Sequence, residues 1–315
     1  MATEISTLQS LKAVDAWIGV INSNINGGVR TAFKASRLKF GGSTTEIQRP
    51  GDLRSTPLQF PEPSLTTVNT VIDFSQGAVI GSSENTHLAI KGDGYFVIVD
   101  PVTAGASAIS TGLVVTGTNS QIYLTRDGEF HTNGQGYLVN SDGYFVVAVN
   151  TITGANPPNL GTGTLRLVYN NVDQSTLAGG TGADAVRLTD FIDNTFSSTT
   201  SSANGAAFTT AMAAANATST IKVDRGEQNL KFSKYGSTVY DFGYTASGTI
   251  PASSIMFTRA TPADNQIIGK SLESSNASMT QSVPELSLAQ KLFSALTKVI
   301  QIHQTNTDAV INLIR

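Results

Sequence analysis

Three histidines, His87, His131 and His303, are the only imidazoles in the chain, and no two share a metal-ligand spacing. The Asp-Gly pairs at 93–94, 127–128 and 142–143 put carboxylates into tight turns, the usual setting of a calcium loop. Such a loop needs several carboxylates in register, and the richest of the three turns offers only Asp127 and Glu129. Gly92-Asp93-Gly94 does not complete a dinucleotide fingerprint, because position 97 is Val. No Gly-Lys-Ser/Thr phosphate loop occurs, and the chain has no cysteine, which removes disulfides, thiolate metal sites and thiol nucleophiles. A hydrolase would need convergent carboxylates, for example Asp190, Asp193 and Glu227, and nothing in their spacing groups them. We therefore expect no enzyme, cofactor or metal, and read the Asp-Gly pairs as hairpin turns.

Composition points the same way. Of the 315 residues 40% are hydrophobic, enough for real cores, while 14% are charged, against about 25% in an average globular protein. Ser, Thr, Asn, Ala and Gly take the place of charge, which suits turn-rich β structure and a neutral surface on which identical subunits pack without repulsion. The net charge of -3 gives no electrostatic footprint for nucleic acid. No stretch approaches the roughly 18 apolar residues of a membrane span. Glu4, Lys12 and Asp15 interrupt the N-terminus, so it does not read as a cleaved secretory signal.

The elements that carry the sequence signal are at the two ends. Leu11, Val14, Ile18, Ile21 and Ile25 recur at spacings of three and four, and this predicts a helix over 3–26. Asn24, Asn26, Gly27 and Gly28 end it, with a left-handed residue expected there. Leu292, Leu296, Val299, Val310 and Leu313 repeat the rhythm, widened by Phe293, Ile300 and Ile314, over a helix beginning near Pro284. His303 and Asn306 interrupt this second stripe. Between the helices, residues 41–72 carry Pro50, Pro57, Pro61 and Pro63 and read as an extended linker or arm. Short β-branched and aromatic runs follow at Leu88–Ile90, Tyr95–Val99, Gln121–Leu124, Tyr137–Asn140 and Tyr144–Val149. Asp-Gly-Tyr-Phe occurs at 93–96 and again at 142–145, which reads either as one strand-turn-strand unit used twice or as a coincidence of hairpin chemistry. Residues 151–225, rich in Ser, Thr and Ala, read as an insertion, after which β patterning resumes.

Four segments resemble the flagellar rod and hook proteins, the axial proteins of the bacterial flagellum. The first is Ile21-Asn22-Ser23-Asn24-Ile25-Asn26 through Phe33-Lys34, where Thr31-Ala32 stands in place of the family's Asn-Gly. The second is Phe74-Ser75-Gln76-Gly77 with Leu88-Ala89-Ile90-Lys91-Gly92-Asp93-Gly94-Tyr95-Phe96. The third is Tyr123-Leu124-Thr125-Arg126-Asp127-Gly128-Glu129-Phe130 with Asn133-Gly134-Gln135-Gly136-Tyr137-Leu138-Val139. The fourth, Leu272-Glu273-Ser274-Ser275-Asn276-Ala277-Ser278-Met279, leads into the last helix. The resemblance implies a subunit whose terminal helices pack with those of other copies into a tube. It also implies export without a cleaved signal, to a cell-surface or extracellular position.

The expected fold is α+β, with the N- and C-terminal helices paired as an antiparallel coiled coil around an all-β middle. The expected divisions are a helical polymerisation core (1–40 and 275–315), an arm (41–72), a β domain (73–150 and 226–274) and an inserted outer domain (151–225). The expected partner is the chain itself, with other axial or capping proteins of the same family. Leu11, Val14, Ile18, Ile21, Ile25, Leu292, Phe293, Leu296, Val299, Ile300, Val310 and Leu313 are the expected assembly interface. Rival readings are a non-flagellar filament of the same fold and a monomeric cell-surface β protein that binds through the insertion.

Overall fold

The computed structural model describes residues 2–42, 46–49, 56, 58–60, 64–100, 122–149, 165–170, 186–193, 218–241, 256–259 and 265–314. The chain divides into two compact units, described separately. A helical unit holds Met1–Val29, Lys34–Ser75 and Ala277–Arg315, and a β unit holds Arg30–Phe33 and Gln76–Asn276.

The helical unit is built on α1 (Ala2–Gly27) and α3 (Met279–Ile314). The two pack through Val14, Ile21 and Ala289, with Trp17, Ile18, Ile25, Leu286, Phe293 and Leu296 closing around them. The start of α3 lies beside the end of α1: a Cβ on Gly28 would stand 3.4 Å from the Met279 side chain. Helix α3 begins at Met279, so Pro284 lies inside it rather than at its start. Proline lacks the N–H that would bond one turn back, and Ser278 anchors the first turn instead, its carbonyl accepting from Gln281 and Ser282 at 3.2 and 3.0 Å.

Where residues 41–72 are described, they run mainly as paired strands rather than as an open arm. Strand β1 (Ser36–Gly42) pairs antiparallel with β4 (Leu65–Ile72), from Ser36↔Ile72 to Gly42↔Leu65, and β2 (Glu46–Arg49) pairs with β3 (Leu58–Phe60). The four prolines fall outside the described residues. The ribbon lies on α1, where Phe40 meets Trp17 edge-on at 5.5 Å and Leu65 donates its N–H to Ser10 Oγ at 2.9 Å. Asn24 brackets Ser36, accepting from its N–H at 2.8 Å and donating to its carbonyl at 2.7 Å. Neither Gly27 nor Gly28 takes the expected positive φ. The left-handed residue is Ala32, at φ 51°, inside the Thr31-Ala32 pair that replaces the family's Asn-Gly.

The β unit centres on a twisted sheet that contains β7 (Tyr95–Val99), β8 (Ile122–Thr125), β11 (Phe145–Val149), β12 (Leu165–Tyr169), β13 (Val186–Arg187), β15 (Lys231–Ser233) and β16 (Gly236–Asp241). Their order is β13-β12-β11-β7-β8-β16-β15. Strands β14 (Thr220–Arg225) and β17 (Met256–Arg259) extend from β7, and β9 (His131–Thr132) with β10 (Leu138–Val139) extends from β11. Every residue of β7 and β11 is buried, as expected of central strands covered on both faces. The core joins Leu88, Ile90, Phe96, Ile98, Phe130, Val146 and Phe191, among others. Phe191 comes from α2 (Leu188–Asp193), so Val186–Phe191 is both a strand and a short helix. The described parts of 151–225 join this same sheet rather than standing apart as an insertion: β12 pairs with β11, and β14 with β7. Two ladders close the unit: β6 (Leu88–Gly92) with β18 (Asn265–Gly269), and β5 (Val79–Gly81) with β19 (Ser271–Glu273).

One turn is indeed used twice, but it is not the one that the Asp-Gly-Tyr-Phe repeat suggested. Asn133 and Asn140 each accept on Oδ1 from the amides two and four residues on, at 2.8–3.1 Å. Gly136 and Gly143 follow at φ 89° and 84°, a conformation that favours glycine. The repeated unit is Asn-x-x-Gly-Tyr at 133–137 and 140–144, while Gly94, at φ 152°, belongs to a different turn.

Candidate assembly surface

Several of the polar groups weighed for chemistry make structural bonds. Asp190 pairs with Arg187 Nε at 3.1 Å, and Glu227 accepts from the Tyr95 hydroxyl. His87 Nδ1 lies 2.7 Å from Ser82 Oγ within one local turn, and His131 is exposed on β9. Among the described residues no group of three or more His, Asp or Glu side chains is placed to hold a metal ion. Asp127 accepts from Thr31 Oγ1 and from the Glu129 amide. Burial raises the pKa of its carboxyl, against the pull of these hydrogen bonds.

The helices leave more to explain. In α3 the residues turned toward α1 are Leu286, Ala289, Phe293 and Leu296, at spacings of three and four, with Ile300 next in that row. At about 100° per residue, the residue before each of these lies on an adjacent face. Leu288, Leu292, Val299 and Ile302 form such a second row, and they are 59%, 38%, 40% and 59% exposed. Val310, Ile311 and Leu313 continue the apolar exposure to the end, Leu313 at 89%. Helix α3 is ten residues longer than α1, so its end outruns its partner. At the same end of the pairing, Ile5 and Leu8 near the start of α1 are also exposed.

The structure therefore divides the expected interface. Val14 and Ile21 are buried within the chain, and Ile18, Ile25, Phe293 and Leu296 pack around them. Leu11 and Ile300 are half-buried. Leu292, Val299, Val310 and Leu313 remain exposed. Sequence reading missed Trp17, Leu286, Ala289 and Leu65 in the buried seam, and Leu288, Ile302, Ile311, Ile5 and Leu8 on the open face. The available signal was the unbroken row 286-289-293-296-300, obscured because Leu292 and Phe293 are adjacent and equally apolar.

The open face is also short of charge. Over 36 residues α3 carries only Glu285, Lys291, Lys298 and Asp308 as formally charged side chains, where average composition would place about nine. A long helix facing water on most sides ordinarily has a strongly polar outer face. This one has Gln, Asn, Ser and Thr on one side and an apolar row on the other. No helix among the described residues is long and apolar enough to cross a membrane.

Comparison with known proteins places the match on the sheet. Residues 113–172 match the family model described as the flagellar hook protein FlgE/F/G D1 domain, a span that takes in β8 to β12. The chain is 26% identical over 181 residues to the flagellar hook protein FlgE of Brucella abortus biovar 1. The same identity and span hold for that of Brucella suis biovar 1. Each match covers 52% of this chain and 39% of the relative, so the chain spans well under half of the curated relatives' length. Among solved structures, the crystal structure of Helicobacter pylori flagellar hook protein FlgE2 is 23% identical. It covers 30% of this chain and 22% of that one at a TM-score of 0.19.

Proposed function

We propose that this chain, a flagellar hook/rod family protein, is a structural subunit that self-assembles outside the cell into a helical, hook-like filament through its terminal helices. The observation that carries the reading is the second apolar row of α3, Leu288-Leu292-Val299-Ile302, exposed beside a row already used against α1. Each such side chain contributes about 1.5–3 kcal/mol on full burial, so covering the row with another copy gives several kcal/mol per contact. The first row makes an intramolecular helix pair, read as an antiparallel coiled coil. The second row and the α3 overhang take the neighbouring subunit. One heterologous contact repeated without closure gives an open helix, and few charges on α3 mean little repulsion between copies.

The test is negative-stain electron microscopy of the full chain beside Leu292→Asp/Ile302→Asp. The native chain is expected to form tubes, and the variant to stay monomeric with its circular dichroism unchanged. A native chain that remains monomeric at high concentration, with both helices formed, would remove the filament reading in favour of a monomeric β-rich surface protein.

A further inference from the structure

The β unit contains a buried knot at the places where the chain enters and leaves it. The chain passes in or out of this unit at the two ends of Arg30–Phe33, at Gln76 and at Asn276. Within a few residues of each lies a bond to Glu273. The Glu273 carbonyl accepts from Ala32 N–H at 2.8 Å, and its Oε1 accepts from Gly77 N–H at 2.9 Å. Its Oε2 lies 3.4 Å from Arg126 Nη1, with the two side chains 0% and 4% exposed. Arg126 also donates to the Gly92 carbonyl at 2.8 Å and lies over the Tyr95 ring at 5.3 Å. The three segments are stitched further by the Thr31↔Ser274 bridge, Ser274 N–H to Ala78 O at 2.7 Å, and Asn276 N–H to Phe33 O at 3.2 Å. Packing is tight enough that a Cβ on Gly77 would stand 1.9 Å from Ser274 O.

We infer that Glu273 is the clasp of the β unit: one side chain and its own backbone bind together the three segments through which the chain enters and leaves, so that the segments leading to both terminal helices start from fixed points. A buried ion pair is poor value as stability alone, because apolar side chains of the same volume do as well or better. What apolar residues cannot supply is direction. A carboxylate with two oxygens aimed at an amide and a guanidinium, on a residue whose carbonyl holds a third strand, specifies one arrangement. Bonds of one buried network reinforce one another and tend to open as a cooperative unit; in this one Arg126 Nε is the side-chain atom left without a hydrogen-bond partner. The clasp rests on bonds within the β unit and stands whether or not the chain forms filaments.

The test is native-state hydrogen exchange on the full chain as a monomer. The clasp requires the Ala32, Gly77 and Ser274 amides to exchange together, on the order of 100-fold or more slower than amides of exposed loops. Exchange of Ala32 and Gly77 at loop rates, or at unrelated rates, would overturn it. A pair of variants isolates the side chain: Arg126→Met/Glu273→Gln keeps an acceptor for Gly77, and Arg126→Met/Glu273→Met removes it, with no buried charge in either. Gly77 exchange is expected to be about tenfold faster in the Met/Met form, with Ala32 and Ser274 following and β7 and β11 unchanged. Equal protection in both forms defeats the proposal, and a Met/Met form that alone fails to fold agrees with it. Should neither variant fold, the exchange pattern of the native chain decides.

Discussion

The two units spend their apolar residues differently. In the β unit, strands β7 and β11 bury every side chain, and inside it Phe96 stacks on Phe191 and meets Phe130 edge-on. Exposure of large apolar groups there is confined, among the described residues, to Val79, Ile80, Phe232 and Tyr235. Of its described apolar residues the helical unit fully buries only Ala13, Val14, Ile21 and Ala289, and leaves exposed Ile5, Leu8, Leu288, Leu292, Val299, Ile302, Val310, Ile311 and Leu313, among others. A sheet covered on both faces satisfies itself within one chain. Two helices touching along one seam do not, since each keeps most of its circumference. Among the described residues, the β unit thus closes its core within the chain, and the helical unit leaves an apolar face open.

Substitutions can break this contrast. The largest effect is expected at Gly128→Ala, whose new Cβ would stand 1.6 Å from the Leu88 carbonyl oxygen. Loss of about 3 kcal/mol or more should appear in calorimetry as collapse of the β unit's transition. Phe96→Ala removes a fully buried ring and should cost about 3–5 kcal/mol in the same transition. On α3, Phe293→Ala and Leu292→Ala are adjacent and should diverge. The first should lower stability of the monomer by about 2 kcal/mol. The second should change it by less than about 0.5 kcal/mol while raising the critical concentration for assembly. Equal effects on the monomer would erase the distinction between the two rows.

The single tryptophan, Trp17, is in the helical unit, and all eight tyrosines are in the β unit, so each unit has its own optical reporter. Burial, reinforced by the bond to Glu227, pushes the Tyr95 hydroxyl far above its ordinary range, burial does the same for Tyr240, and burial raises Tyr144 to about 12. A folded pKa above the unfolded one gives stability that is complete below the unfolded value, near 10, and lost as pH rises through the folded value. The tyrosinate absorbance of the buried Tyr95 and Tyr240 should therefore appear above about pH 10 in one cooperative step, coincident with loss of β-sheet circular dichroism. Gradual ionisation with the sheet intact would contradict the burial. A modest gain is expected at Lys270, exposed and held at φ 54°. Lys270→Gly relieves that left-handed strain and should stabilise the β unit by about 0.5–1 kcal/mol, a rise of a few degrees in Tm.

Much of this was legible without a structure because it is local. Helical periodicity placed α1 and α3, and Asn, Asp and Gly marked the turns, since their short side chains or missing Cβ decide the backbone within four or five residues. Even there the repeated string did not mark the turn that recurs: Asp-Gly-Tyr-Phe is the eye-catching string, but the hydrogen bonds come from Asn133 and Asn140, three residues before each glycine of the turn. The pairing of Ser36 with Ile72 was not legible, because a ladder closed across more than thirty residues leaves no local mark and the prolines between its strands suggested an open arm.

By itself the sequence determined that two long helices with apolar faces flank a turn-rich β region, that α3 lacks the charge of a solvated helix, and that no thiol or phosphate-loop chemistry is available. Only the tertiary structure decided which of two equally apolar rows on α3 meets α1, because adjacent residues such as Leu292 and Phe293 differ by a rotation that only a packed partner resolves. It alone brought Glu273 to Ala32, Gly77 and Arg126, since contacts between residues distant in the chain follow from the fold's closure and not from any spacing along it.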